Sequence, residues 1–243
     1  MMQFDIRDWR AWAPGLATPR QWRDWHAHPA LPDMAAGQPD VSFLPAMQRR
    51  RLSPLARMAF HVAWPLAEMQ GAQPVVFCSR HGETPRNLAL LTQLGLGEAL
   101  SPTHFSLSVH NAIIGLWSMF RGDTSEMTAL AATSEGLELA VMEAVLLLQA
   151  GAPSVLVIVA EENQPEVYLP WIDDVPFAHA IALQLVAGTR WTLEPCASEA
   201  KKEAREASES GCPVPPALRL LPLLLGDEVS HCSGNWQWRC TGQ

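Results

Sequence analysis

The chemistry-bearing residues fall in a few places. Arg80-His81-Gly82-Glu83-Thr84 sets an imidazole beside a guanidinium directly after the short apolar run Val75-Val76-Phe77-Cys78. Such an imidazole can act as a nucleophile or carry a proton, and the arginine can neutralise an anionic group in transfer. A second histidine with an acidic neighbour occurs late, in Glu228-Val229-Ser230-His231. The plain alternative for Arg80, His81 and Glu83 is a polar strand-to-helix turn. Thiol chemistry has fewer openings: Cys78, Cys196, Cys212, Cys232 and Cys240 form no CxxC pair, and their number is odd. Neither a disulfide framework nor a zinc site is indicated, and a reducing cytoplasm is the expected setting. No cofactor is implied.

The elements that must position these residues form an α/β pattern. Residues 1–40 carry Trp9, Trp12, Trp22 and Trp25, which read as an N-terminal segment packed over the domain. A helix is expected from Arg49-Arg50-Arg51 to about Gln70, with Pro65 ending or kinking it. Val75–Cys78 reads as a buried strand, Thr84-Pro85 as an N-cap with proline at N1 of a helix to Gly95, and Ser101-Pro102-Thr103 as a turn. Val109 to Phe120 reads as a nearly all-apolar helix, and Met127 to Ala132 as a short strand. Glu135 to Gln149 keeps 3.6-residue apolar spacing, with Gly151 capping, and Val155 to Val159 is a β-branched central strand. Strand, helix and strand in that order predict parallel pairing with a right-handed crossover.

Beyond this point the reading is an exposed loop from Glu161 to Pro176, then strands His179 to Val186 and Arg190 to Leu193 joined by a turn at Gly188. A charged helix or linker at 197–212, a buried Leu218 to Leu225 and a last edge strand at Trp236 to Cys240 complete it. One domain spanning 1–243 is expected.

Charge and hydropathy exclude whole classes. With 17 Lys+Arg against 25 Asp+Glu the formal charge is −8, so nothing offsets phosphate repulsion and a nucleic-acid partner is not expected. The most apolar tract, Val145 to Ala160, is interrupted by Gln149, Gly151 and Pro153, short of the roughly 20 apolar residues of a membrane span.

The Arg80–Thr84 string resembles the signature that opens histidine phosphatases, in which the imidazole attacks phosphorus and a later histidine assists. The chain departs from that pattern: a helix precedes the motif, and Cys232 rather than glycine follows His231. Phosphate-ester hydrolysis through Arg80-His81-Gly82-Glu83 is the alternative function.

A second resemblance covers more. From Pro74 to Glu162 the chain resembles the N-terminal half of a β-ketoacyl synthase, specifically the short synthase-like proteins of aryl-polyene-type gene clusters. The run Ser101-Pro102-Thr103-His104-Phe105-Ser106-Leu107-Ser108-Val109-His110-Asn111-Ala112, continuing through Gly115, Met119 and Gly122, carries it best. The Ser79–Glu83 loop belongs to the same pattern, Ala131 to Gly151 resembles the nucleophile strand and helix, and Trp236-Gln237-Trp238-Arg239 the usual ending.

The resemblance implies a thiolase-like α/β fold lacking most of the second half. In condensing enzymes a cysteine stands at the N-terminus of a buried helix, where the dipole favours thiolate. Here that position falls on Ser134 or Glu135, so no catalytic residue is carried over; a lone serine without a base is a poor nucleophile, although a self-sufficient acyltransferase or thioesterase using Ser134 is a further rival.

What the resemblance implies instead is a chain-length-factor-like subunit, inactive alone, that pairs as a heterodimer with a full-length β-ketoacyl synthase and meets acyl carrier protein through the complex, in polyene, polyketide or fatty-acid-type biosynthesis. Carried over, Met127, Thr128, Ala129, Leu130, Ala131 and Ala132 are the dimer strand. Val109, His110, Asn111, Ala112, Ile113, Gly115, Leu116 and Met119 line or close the acyl tunnel or touch the partner, with a satisfied buried histidine as the other reading of His110.

Overall fold

The computed structural model describes residues 1–133, 135–196 and 212–241. Its framework is a mixed seven-stranded sheet. In chain order the strands are β1 (Met2–Trp12), β2 (Val75–Cys78), β3 (Met127–Leu130), β4 (Val155–Glu161), β5 (His179–Pro195), β6 (Ser230–Ser233) and β7 (Trp236–Cys240). The helices are α1 (Pro19–Ala27), α2 (Ala46–Arg49), α3 (Pro54–Gln70), α4 (Thr84–Gly95), α5 (Pro102–Ser106), α6 (Ala112–Arg121), α7 (Gly136–Gln149) and α8 (Leu221–Leu225).

β2 lies between β3 and β4 and is parallel to both, so the β3–α7–β4 crossover steps over β2 as its pattern predicts. β5 is antiparallel to β4 and β7 along one side and to β1 along the other.

The period-two geometry of these strands builds two apolar layers. Val76, Cys78, Val155, Val157 and Val159 face α7 and α8, whereas Val75, Phe77, Leu156, Ile158 and Ala160 face α3 and α6. Every residue of β2 and β4 is buried. At about 25 cal/mol per Å² of apolar surface, this two-sided burial is the main stabilising contribution to the fold.

Several expectations are corrected. The tryptophan-rich start is part of the sheet: Met2–Trp12 forms β1, its Trp12 buried, and only α1 packs Trp22 and Trp25 over it. The helix expected from Arg49 begins only at Pro54, where Ser53 caps α3 by accepting from the Ala56 N–H, and Arg49 instead ends the separate helix α2. Pro65 does not end α3, whose buried face of Leu55, Met58, Val62 and Leu66 carries it through to Gln70.

Glu83 rather than Thr84 precedes α4, Ser101 caps the short helix α5, and α6 begins at Ala112 rather than Val109. β3 stops at Leu130, so Ala131 and Ala132 lie outside it, and α7 begins at Gly136.

Gly188 makes no turn between strands. β5 runs unbroken past it, since between the pairs Phe4↔Trp191 and Asp5↔Val186 the intervening residues bulge and the Asp5 carboxylate accepts from the Arg190 N–H at 2.8 Å. A Cβ on residue 188 would overlap Asp5.

Trp236–Cys240 is an inner strand, with β6 outside it as the edge. The β5–β7–β6 register also brings Cys196 and Cys232 together as a disulfide, contrary to the expectation of none; a sequence separation of 36 hides this neighbourhood. Leu218 to Leu225 is buried for the most part, as expected. The expected charged element at 197–212 lies, but for Cys212, outside the described residues.

Among the described residues no helix is long and apolar enough to cross a membrane.

Candidate functional site

The C-terminal ends of β2 and β4 and the start of α7 border a small, partly open cleft, lined in part by Cys78, Arg80, Thr133, Gly136, Glu161 and Asp174. In open α/β sheets this is where ligands bind. Its walls are strongly titratable. Glu161, at the end of β4, accepts from the Ser79 hydroxyl at 3.1 Å, from the His81 N–H at 3.3 Å and from the Arg80 N–H. Burial pushes its carboxyl up to about 7, against the lowering influence of the Arg80 N–H and the His81 charge.

Asp174 takes Arg80 Nη1 at 2.9 Å and His81 Nε2 at 3.1 Å. Burial alone would raise its carboxyl, but the His81 and Arg80 hydrogen bonds and the guanidinium charge bring it down to about 2. Beside this group Glu83 accepts from Ser53 Oγ at 2.5 Å and pairs with Arg86 at 3.1 Å. Glu162 is held up at about 8 by burial and by the Glu83 charge, with Arg86 opposing. The sequence pattern predicts an exposed loop at Glu161 and Glu162, but both are buried. Their signal was two adjacent carboxylates directly at the end of a fully apolar strand.

These contacts give no support to phosphatase chemistry. The Arg80 and His81 side chains are engaged by Asp174, and His231 sits on edge strand β6, near Glu228, with three strands between β6 and β2 in the sheet order.

At the start of α7 the structure offers no activated thiol or hydroxyl among the described residues. Ser134 lies outside them. Glu135 turns away from the helix it precedes and accepts from the Asn235 N–H at 3.0 Å, the Asn235 amide and Trp236 Nε1 at 3.3 Å, tying α7 to the β6–β7 hairpin. Cys78 lies close under this turn, its sulfur 3.0 Å from where a Cβ on Gly136 would stand. Burial, then the Glu161 charge, push its thiol up to about 12, so it is protonated and inert at neutral pH.

The expected tunnel and partner residues divide into two sets. Ile113 and Leu116 are core, facing α3 together with Trp117, while Asn111, Gly115 and Met119, four apart, form an exposed stripe along α6. Val109 is exposed and Ala112 half-buried. His110 is a satisfied histidine: Nε2 donates to the Ser79 carbonyl at 2.7 Å, and the ring fills the space above Gly82. With Asn87 Nδ2 donating to the Ser108 carbonyl at 3.1 Å, it ties the 79–83 loop and α4 to the Ser101–Ala112 run. Met127, Thr128, Ala129 and Leu130 are half-buried on β3, which pairs with β2 on one side and is the sheet's open edge on the other.

Comparison with known proteins gives a consistent picture. The model of the β-ketoacyl synthase N-terminal domain matches residues 22–239. Among solved structures, the chain is similar to one in the complex of the ketosynthase ApeO with its chain length factor ApeC from Xenorhabdus doucetiae, at 29% identity and a TM-score of 0.85, covering 100% of both chains. The ishigamide ketosynthase/chain length factor is similar at 15% identity, with a TM-score of 0.65 over 85% of this chain and 73% of that one. A β-ketoacyl synthase from Burkholderia phymatum follows at 13% and 0.60, over 86% and 70%. The last two likenesses are of fold. No curated protein matches.

Proposed function

This chain belongs to the β-ketoacyl synthase N-terminal domain family, and we propose that within it the chain is a chain-length-factor-like subunit that pairs with an active ketosynthase. The observation that carries this reading is the end-to-end likeness, at 29% identity, to a chain of a ketosynthase–chain length factor complex. The start of α7 supports it: Glu135 is tied to the hairpin and Cys78 is a buried, protonated thiol. Condensation needs a thiolate aimed at a thioester, and the partner supplies it.

The finer roles belong to the same proposal. Met127–Leu130, continued by Ala131 and Ala132, meets the partner along the open edge of β3, where unpaired backbone groups favour strand addition. Val109, Asn111, Ala112, Gly115 and Met119 form the wall that limits the growing acyl chain, delivered on acyl carrier protein to the pair, while Ile113 and Leu116 back that wall from the core and His110 fixes the loop beside it.

The test is product length. Met119→Trp lies on the exposed stripe and should shorten the products of the reconstituted pair, because the added volume fills space a growing chain needs. Unchanged products would remove the tunnel assignment. Acylation of the isolated chain by a thioester substrate, followed by intact mass, should give no adduct; a stable adduct would establish an acyltransferase instead.

A further inference from the structure

The end of β5 and the β6–β7 hairpin are joined twice. Cys196, directly after β5, forms the disulfide with Cys232 on β6, and its N–H donates to the Asn235 carbonyl at the hairpin tip at 2.7 Å. That tip is the one that grips α7. The Glu135 carboxylate accepts from the Asn235 N–H at 3.0 Å and from Trp236 Nε1 at 3.3 Å. The fit is close, since a Cβ on Gly234, whose φ is +57°, would stand 3.0 Å from Glu135 Oε1. Only Ser233 and Gly234 separate Cys232 from Asn235, so the sulfur bridge bears on the contact that fixes the first turn of α7.

The cysteine pair accommodates two states. Cys196 is 7% exposed, but Cys232 is half-buried on β6, the outermost strand of the described sheet, where an attacking thiolate can reach its sulfur. The Gln237 amide oxygen lies 3.1 Å from Cys232 Sγ, an acceptor already in place for the thiol that forms when the bond breaks. Cys78, Cys212 and Cys240 are free, so oxidation selects this pair. The bridge spans a sequence separation of 36, and reduction returns that chain freedom to the hairpin.

We infer that Cys196 and Cys232 form a reversible redox site that fastens the β6–β7 hairpin to β5 and, through Asn235, sets how firmly the hairpin holds Glu135. In the oxidising direction a small-molecule disulfide takes up the two hydrogens: its S–S bond breaks to give two thiols as the Cys196–Cys232 bond forms. In the reducing direction two small-molecule thiols restore both side chains and leave as their disulfide. Once reduced, β6 loses its covalent tie to β5 and is held by its ladder with β7, and the first turn of α7 loosens with it. The site acts within this chain and is independent of the pairing proposed above.

The experiment places the full chain in glutathione buffers of graded thiol-to-disulfide ratio, traps it with an alkylating agent and reads it by peptide mass. Cys196 and Cys232 should pass together from bonded to alkylated within that range, and return on reoxidation. Hydrogen exchange should run about tenfold faster in the reduced chain at 230–237 and at 135–140, with β2 and β4 unchanged. Cys232→Ser should reproduce the reduced pattern without reductant; if that variant folds poorly, the reduced unaltered chain still gives the reading. A bond that resists a large excess of reduced glutathione would overturn the inference in favour of a permanent staple. Reduction that leaves exchange at 135–140 within about twofold of the oxidised chain would overturn the link to α7.

Discussion

The imidazole of His110 occupies the space that a side chain on residue 82 would need: a Cβ on Gly82, whose φ is +54°, would stand 2.9 Å from His110 Cδ2. Two segments far apart in the sequence, the 79–83 loop and the Ser101–Ala112 run, are thus fitted to each other at one contact. Gly82→Ala should lower stability by about 2–3 kcal/mol, from positive-φ strain and the clash together. Gly97→Ala, also at positive φ but with nothing within 4 Å of the new methyl, should cost only about 1 kcal/mol. Chemical denaturation of both variants measures the difference.

The buried carboxyls of the cleft set a pH dependence. Glu161 and Glu162 are held up at about 7 and 8, so between the ordinary carboxylate range and those values the folded chain binds more protons than the unfolded one. Their contribution is fully present at low pH and is lost as pH rises through 7 and 8. His179 opposes this lower down. Burial lowers its imidazole to about 4, so stability from that group grows between about pH 4 and 6.5 and is constant above. From pH 6.5 to 8.5 stability should therefore fall, and Glu162→Gln should flatten the fall; a midpoint independent of pH in that window would contradict the assignment.

Thiol labelling reads the cysteine environments directly. Without reductant at pH 8, iodoacetamide should modify Cys212 and Cys240, which are free and part-exposed, and leave Cys78 untouched. Cys196 and Cys232 should react only after reduction. Rapid native labelling of Cys78, followed by peptide mass, would show that the floor of the cleft is open and the thiol activated.

The β5 bulge gives a paired test. Gly188→Ala should destabilise by about 2 kcal/mol because its methyl overlaps Asp5. Asp5→Ala/Gly188→Ala should recover part of that loss, a coupling that a double-mutant cycle reports. Strict additivity would argue against direct contact.

The local periodicities made the centre of the fold legible. Val75–Cys78 emerges at its expected bounds, and α7 with β4 within two residues at each end, because buried parallel strands and an amphipathic crossover helix write their burial into consecutive residues. Elements decided by distant pairing were not legible. β1 lacks clean alternation and exists because β5 offers it an edge; β5 passes Gly188 because Asp5 lies opposite; Cys196 and Cys232 meet only through the register of β7. At the site, the residues that stand where the resemblance sets a cysteine, Ser134 and Glu135, were legible. The Glu161–Arg80–His81–Asp174 network was not, since it joins ends of strands that the linear chain separates.

In the function proposed, this chain works as one half of a pair. Co-expression with a complete ketosynthase from the same organism, followed by native mass spectrometry of the purified material, is the direct test. A one-to-one complex of the two different chains is expected. A ketosynthase that purifies as its own homodimer, leaving this chain unbound, would contradict it.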